Sequence, residues 1–214
     1  MEMELSVLLK RMKSILGDED LIESVRSILF SDRKDDVLSN YVDAVEGDLE
    51  TDNMQKIFQY YYADRDQKKQ DFTPKSIARM CAELTRTNGN TVYDLCAGSG
   101  AMTIQKWTKS RSNVFICEEL DDMVIPLLIF NMAVRNMDGY VINRDALTMD
   151  VKRTYKVSRG KRFSDVAEVN DIPEIYADEI ISNPPYNIRW DAPEPLLADE
   201  RFRGKPIPPS SNAN

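Results

Sequence analysis

Residues 92–100 read Val92-Tyr93-Asp94-Leu95-Cys96-Ala97-Gly98-Ser99-Gly100. A short apolar and aromatic run ends on an acid and breaks into a glycine turn. Glycine is needed where a backbone bends sharply and where a ligand must come close to the amides, and the helix that follows such a turn offers unpaired N–H donors at its start. A glycine turn taken alone reads equally well as a tight connection with no ligand. The pattern around it decides the fold. Thr91 to Leu95 is predicted as a strand and Gly98 to about Thr108 as a helix. Val114 to Glu118 follows as a second strand, then a helix from about Asp122 to Asn136 with Pro126 near its first turn. Tyr140 to Asn143 makes a third strand and Glu179 to Ser182 a fourth. Strands alternating with helices build a parallel sheet, so the expected class is α/β, with about four parallel strands and helices on both faces.

The texture ahead of this region is different. Leu5, Leu8, Leu9, Met12, Ile15 and Leu16 recur at helical spacing and Gly17 stops them; Asp18 is the expected N-cap for Leu21, Ile22, Val25, Ile28 and Leu29. Two further amphipathic stretches cover about 35–46 and 52–63, the second ending in Tyr60, Tyr61 and Tyr62, three consecutive rings that no helix can bury together. The charged segment Asp64 to Asp71 follows. The expected organisation is a helical module over residues 1–66, a sheet domain over 67–190, and a proline-rich loop over 191–214.

Composition narrows the chemistry. The chain has 214 residues with no histidine, which removes Ser-His-Asp and Cys-His nucleophilic sets, histidine-ligated metals and a histidine pH switch. Catalysis is left to carboxylates, amides, hydroxyls, backbone groups or a cofactor. The three cysteines, Cys81, Cys96 and Cys117, are widely spaced and odd in number, as expected of reduced thiols in a cytoplasmic protein. The longest apolar run, Met123 to Met132, is far short of the roughly 20 residues a membrane span needs. With 28 Lys and Arg against 36 Asp and Glu, the chain carries a net charge of -8, and residues 1–70 hold 16 of those acids against 10 basic groups. A protein that grips nucleic acid unaided has a basic balance; this one needs a local patch or a partner. The stretch Val151 to Arg162, with six cations and no acid, reads as a solvated insertion or as a contact for phosphate.

Two more features carry chemistry. Glu118 and Glu119 lie about 20 residues beyond the glycine turn, the distance at which a doubly wound fold presents an acid to a ribose diol, and Leu120 after them could lie on a purine. The other is Asn183-Pro184-Pro185-Tyr186 after the fourth strand. Two prolines fix that loop, so that an amide oxygen and a carbonyl can accept both N–H bonds of a planar amine while the ring of Tyr186 stacks on it. Acceptors placed there stabilise the positive charge that grows on an attacking nitrogen, and no imidazole base is required.

Asp94 to Gly100, Glu119-Leu120, Asp145-Ala146-Leu147 and Asn183 to Tyr186, in this order, together with Phe72-Thr73-Pro74-Lys75 leading a helix to Leu84, resemble the motifs of S-adenosylmethionine-dependent methyltransferases that act on adenine in DNA. The nearest likeness is to the methylation subunit of type I restriction-modification systems. The resemblance implies a Rossmann-like sheet of seven strands, of which this chain would hold the first half. It also implies S-adenosylmethionine as cofactor. Phe72, Thr73 and Pro74 would line its methionine end, and Asp94 with Ala97, Gly98, Ser99 and Gly100 would hold its backbone. Glu119 would take the ribose, and Leu120 and Asp145 the adenine. Glu119 is preferred to Glu118 because it alone is followed directly by the apolar residue. Asn183, Pro184, Pro185 and Tyr186 would hold the target adenine flipped from DNA. A specificity subunit, and with it a restriction subunit, would be the protein partners. Where the family usually places a glycine and a second aromatic ahead of Thr-Pro, this chain has Lys69 and Asp71. Two other readings stay open: a planar amine on RNA bases or on protein glutamine as substrate, and an inert fragment that only binds cofactor or partner.

Overall fold

The computed structural model describes residues 3–17, 20–62, 73–85 and 90–184. Five helices lead: α1 (Leu5–Leu16), α2 (Leu21–Leu29), α3 (Lys34–Ala44), α4 (Asn53–Tyr61) and α5 (Lys75–Leu84). The alternating part follows as β1 (Thr91–Asp94), α6 (Ala101–Lys109), β2 (Val114–Glu119), α7 (Ile125–Val134) and β3 (Asp138–Arg144), then β4 (Val151–Ser158), β5 (Asp165–Val169) and β6 (Glu179–Ile181).

The helix ends follow from local chemistry. Gly17 closes α1 in a positive-φ conformation (φ 95°) and its amide donates back to the Lys13 carbonyl. The cap of α2 is Asp20, whose carboxylate accepts from the amides of Ile22 and Glu23. Asp18, the cap expected from the sequence, lies outside the described residues; Asp20 immediately precedes the first helical residue and so holds the N-cap position itself. Of the tyrosine trio, Tyr60 and Tyr61 are exposed while Tyr62 turns back onto the Phe58 ring, 5.8 Å between centroids.

The sheet has six strands in the order β5-β4-β3-β2-β1-β6. The four strands expected from the sequence are those in parallel register, β3, β2, β1 and β6. The basic stretch 151–162 is not a solvated insertion. Its first part is β4, antiparallel to β3, and β5 continues the hairpin outward. Tyr155 and Val157 alternate into the main core, and cations beside and between them are used locally. Lys156 bonds Asp138 (3.1 Å) and lies 4.2 Å from the Tyr140 ring centroid, Lys152 bonds Asp122 (2.9 Å), and Arg159 donates to the carbonyls of Arg111 and Asn113.

One core runs through the molecule. α7 packs on β3, β4 and β5 and also against α2, α3 and α4, so all ten of its residues are buried; a helix apolar on every side requires such double cover. Leu8, Val25, Leu38 and Met54 of the leading helices thereby join Phe115, Leu127, Val141 and Ile181 in a single cluster. Each such side chain contributes about 1.5–3 kcal/mol on burial. Tyr93, Ile116 and Ile142 form a smaller cluster of alternate strand residues, backed by Ile175 and Ala177. Among the described residues, no helix is long and apolar enough to cross a membrane.

Candidate active site

From β1 the chain steps outward to β2 and β3, then returns to the other side of β1 as β6, so the sheet reverses direction beside β1. Open α/β sheets bind ligands in the crevice at the carboxyl ends of the strands where this reversal occurs. The register keeps those ends level, Asp94 opposite both Cys117 and Ile181, and Glu119 opposite Asn143. Three loops leave the crevice edge: the glycine turn after β1, Glu119-Leu120 at the end of β2, and Ser182-Asn183-Pro184 after β6.

The glycine turn is fixed from several sides. Gly98 (φ 56°) and Gly100 (φ 101°) both adopt positive φ, and a Cβ on Gly100 would stand 3.0 Å from the Leu128 side chain. The Ala97 amide donates to the Glu118 carbonyl (2.9 Å) and the Gly100 amide to the Ala97 carbonyl (2.8 Å). Ser99, fully buried, faces inward. Its hydroxyl donates to Asp52 (2.7 Å), and its carbonyl accepts from the Asn131 side-chain amide (2.8 Å). Asp94 is also buried, accepting from the Thr103 hydroxyl (2.8 Å), and burial pushes its carboxyl up to about 7. Burial likewise pushes the Cys96 thiol up to about 12, which keeps it a thiol at neutral pH.

The two adjacent glutamates have different environments, as alternation along a strand requires. Glu118 is fully buried and ion-paired with Arg144, with the Tyr93 hydroxyl donating to the same carboxylate. Glu119 is half-buried at the crevice. One of its oxygens accepts from the Gly98 amide (2.9 Å) and the other from the Asp121 amide (2.8 Å). Burial raises its carboxyl above the usual range, those two amide bonds opposing the shift. Beside it Leu120 is 51% exposed, an apolar side chain left open next to a carboxylate. Asn143 Nδ2 donates to the carbonyls of both Glu119 (3.1 Å) and Leu120 (3.2 Å) and so fixes this end of β2. Asp145, just past β3, uses its carboxylate to accept the Leu147 amide (2.8 Å).

The upstream segment reaches the same crevice. Pro74 is the N-cap residue of α5, and the hydroxyl of Thr73 accepts from Asn183 Nδ2 at 2.9 Å, joining the residue before α5 to the loop after β6 across 110 positions of sequence. Asn183 and Pro184 are half-buried. Phe72, Pro185 and Tyr186 lie outside the described residues, as does the loop over 191–214. The structure thus gathers Thr73, the glycine turn, Glu119, Leu120 and Asn183 about one crevice. Sequence reading passed over Asp52, Asn131, Arg135 and Asn143. Asp52 shows the pattern of an ordinary helix cap, and no local signal indicates that its second oxygen reaches Ser99, 47 residues away.

Comparison with known proteins adds the chemistry. The family model described as N-6 DNA Methylase matches residues 52–214. The methylase subunit of the type I restriction enzyme MjaIX of Methanocaldococcus jannaschii is 24% identical over 155 residues, covering 67% of this chain and 24% of that protein. The corresponding MpnII subunit of Mycoplasma pneumoniae is 28% identical over 158 residues, covering 67% and 27%. The chain therefore spans about a quarter of the length of these curated relatives. A solved Listeria monocytogenes protein assigned to the class I S-adenosylmethionine-dependent methyltransferases superposes with a TM-score of 0.47 at 14% identity, over 85% of this chain and 58% of that one.

Proposed function

The chain belongs to the N-6 DNA methylase family, and we propose that it supplies the cofactor crevice and the amine-binding loop of an enzyme that methylates the exocyclic nitrogen of adenine in DNA, as the modification subunit of a restriction-modification system. The observation that carries this reading is the meeting at one crevice of the glycine turn, Glu119 and Asn183, with Thr73 bonded to Asn183.

The family's reaction draws an electrophilic methyl group from S-adenosylmethionine. The residues present fit that cofactor: the half-buried carboxylate of Glu119 at the end of β2 suits a ribose diol, the open side chain of Leu120 suits a purine face, and the turn between two positive-φ glycines brings backbone close to a ligand. Thr73 and Pro74, with Phe72 before them, would line the methionine end. Asp94 and residues Ala97, Gly98, Ser99 and Gly100 would hold the cofactor's backbone, and Asp145 its adenine. Asn183 and the Pro184 carbonyl would accept the hydrogen bonds of the target amine, with Pro185 and Tyr186 completing the amine-binding motif and Tyr186 the residue to stack on the base. The two oxygens orient the nitrogen lone pair and stabilise the positive charge that develops on it, so rate comes from alignment and fixed dipoles. Residues 1–66 act as a helical module seated on this domain. DNA is the substrate, a specificity subunit reads its sequence, and a restriction subunit completes the assembly. The net charge of -8 supports a chain that leaves the grip on DNA to a partner.

The test is incubation with methyl-labelled S-adenosylmethionine and DNA in the presence of a specificity subunit. Label is expected on the exocyclic nitrogen of adenine, and Asn183→Ala is expected to abolish transfer while sparing cofactor binding. Label in RNA or in protein glutamine, or transfer that survives Asn183→Ala, overturns the reading.

A further inference from the structure

The tip of α4 stands between Thr73-Pro74 and the glycine turn, the two segments proposed to hold the cofactor, and it touches both. Asp52, Asn131 and Arg135 are at most 7% exposed. One Asp52 oxygen accepts the Ser99 hydroxyl (2.7 Å); the other accepts Asn131 Nδ2 (2.8 Å) and the Gln55 amide (2.9 Å). The same Asn131 nitrogen donates to the Ser99 carbonyl, so Ser99 is held through side chain and backbone at once. Arg135 fastens this cluster to the leading helices. It donates to both oxygens of Asn131, at 2.8 Å each, and to the carbonyls of Leu49 (2.7 Å) and Thr51 (3.1 Å). From the same tip the Thr51 hydroxyl accepts Lys75 Nζ (2.8 Å), and the Gln55 side chain donates to the Thr73 carbonyl (3.4 Å).

Ser99 lies between two glycines whose own backbone preferences are wide, so the shape of the turn is set by what holds Ser99. A carboxylate buried this deeply is costly unless every oxygen is satisfied, and it then defines geometry more sharply than an apolar contact would. We propose that Asp52 is a positioning residue for the cofactor site: acting through Ser99 and with Asn131 and Arg135, it sets the glycine turn, so that cofactor affinity depends on the bond between the tip of α4 and Ser99. This rests on the assignment of that turn to S-adenosylmethionine.

The experiment is calorimetric titration of S-adenosylmethionine into the 214-residue chain and its variants, with a thermal melt of each. Asp52→Asn, which keeps shape and removes one acceptor, is expected to bind about tenfold more weakly, the factor that corresponds to losing one charge-assisted hydrogen bond. Leu38→Ala, a cavity in the helical layer away from the turn, is expected to melt earlier and bind normally. Ser99→Ala is expected to lose as much affinity as Asp52→Asn, and the double variant no more than either alone. Unchanged affinity in Asp52→Asn, additive losses in the double variant, or an equal loss in Leu38→Ala overturns the inference while leaving the cofactor assignment standing. Absence of binding by the parent chain overturns the cofactor assignment and this inference together. If Asp52→Asn does not fold, Ser99→Ala removes the same bond from the other side, and retained affinity there is equally fatal.

Discussion

Glu118 and Glu119 are chemically identical neighbours, and substituting each by glutamine separates a structural role from a ligand-binding one. Glu118 sits on the buried side of β2, paired with Arg144 and bonded by the Tyr93 hydroxyl. Glutamine keeps the shape but removes the charge that Arg144 faces. Loss of one partner of a buried pair costs about 3–5 kcal/mol, and the amide oxygen that remains puts Glu118→Gln near the lower end. At about 2–4 °C per kcal/mol for a chain of this size, the melting temperature should fall by about 6–12 °C. In Glu119→Gln one of the two backbone amides, Gly98 or Asp121, loses its acceptor, a cost of about 1 kcal/mol. Burial disfavours the charged form of Glu119, so removing the charge offsets part of that cost, and the melting temperature should fall by less than in Glu118→Gln. The cofactor complex should suffer instead. Charge-assisted bonds from a carboxylate to ribose hydroxyls are worth about 1.5–3 kcal/mol, so S-adenosylmethionine affinity should fall about 10- to 150-fold in Glu119→Gln and should be unchanged in Glu118→Gln at a temperature where both variants are folded. Calorimetric titration beside a thermal melt reads both quantities. A Glu119→Gln protein that binds within twofold of the parent, or a Glu118→Gln protein that keeps its melting temperature and loses binding, refutes the assignment.

Three further outcomes follow from the geometry. A Cβ on Gly139 would lie 1.7 Å from the Phe115 carbonyl oxygen of the neighbouring strand, so Gly139→Ala must part β2 from β3 and should cost about 3 kcal/mol or more in a denaturant titration. Lys106 of α6 is ion-paired with Glu179 of β6 in the interior, so Lys106→Met should destabilise by about 3–5 kcal/mol, and a melt no lower than the parent's would contradict the pairing. Asp94, pushed up to about 7, is mostly protonated below that pH and ionised above it. With its carboxylate ionised to hold the cofactor's backbone, cofactor affinity should rise from about pH 5.5 to 7 and level off above about 8, because below 7 a proton must be released for the ion to form. Asp94→Asn should flatten that profile.

Much of this was legible in the sequence because it depends on local signals. The four leading helices and the four parallel strands announced themselves through periodicity, with Gly17 and the 98–100 turn as punctuation. The preference for Glu119 over Glu118 came from the residue that follows, and the structure puts Glu119 at the glycine turn and Glu118 in a buried ion pair. The hairpin of β4 and β5 escaped because the cations of 151–162 masked the alternation of Tyr155 and Val157, and because their acidic partners, Asp122 and Asp138, lie elsewhere in the chain. Asp52 escaped for a related reason. A helix cap is visible from three residues, whereas a carboxylate that also holds Ser99 is visible only once α4 has docked beside the glycine turn. Contacts of long sequence separation leave no local mark.

The most direct measurement is a crystal structure of the chain grown with S-adenosylmethionine. Density is expected at the carboxyl ends of β1 and β2, with the ribose hydroxyls on Glu119, the purine on Leu120, the methionine end between Thr73-Pro74 and the Gly98–Gly100 turn, and the methyl group facing Asn183. Cofactor bound away from this crevice, or seated in it with its ribose turned from Glu119, would contradict the proposed site.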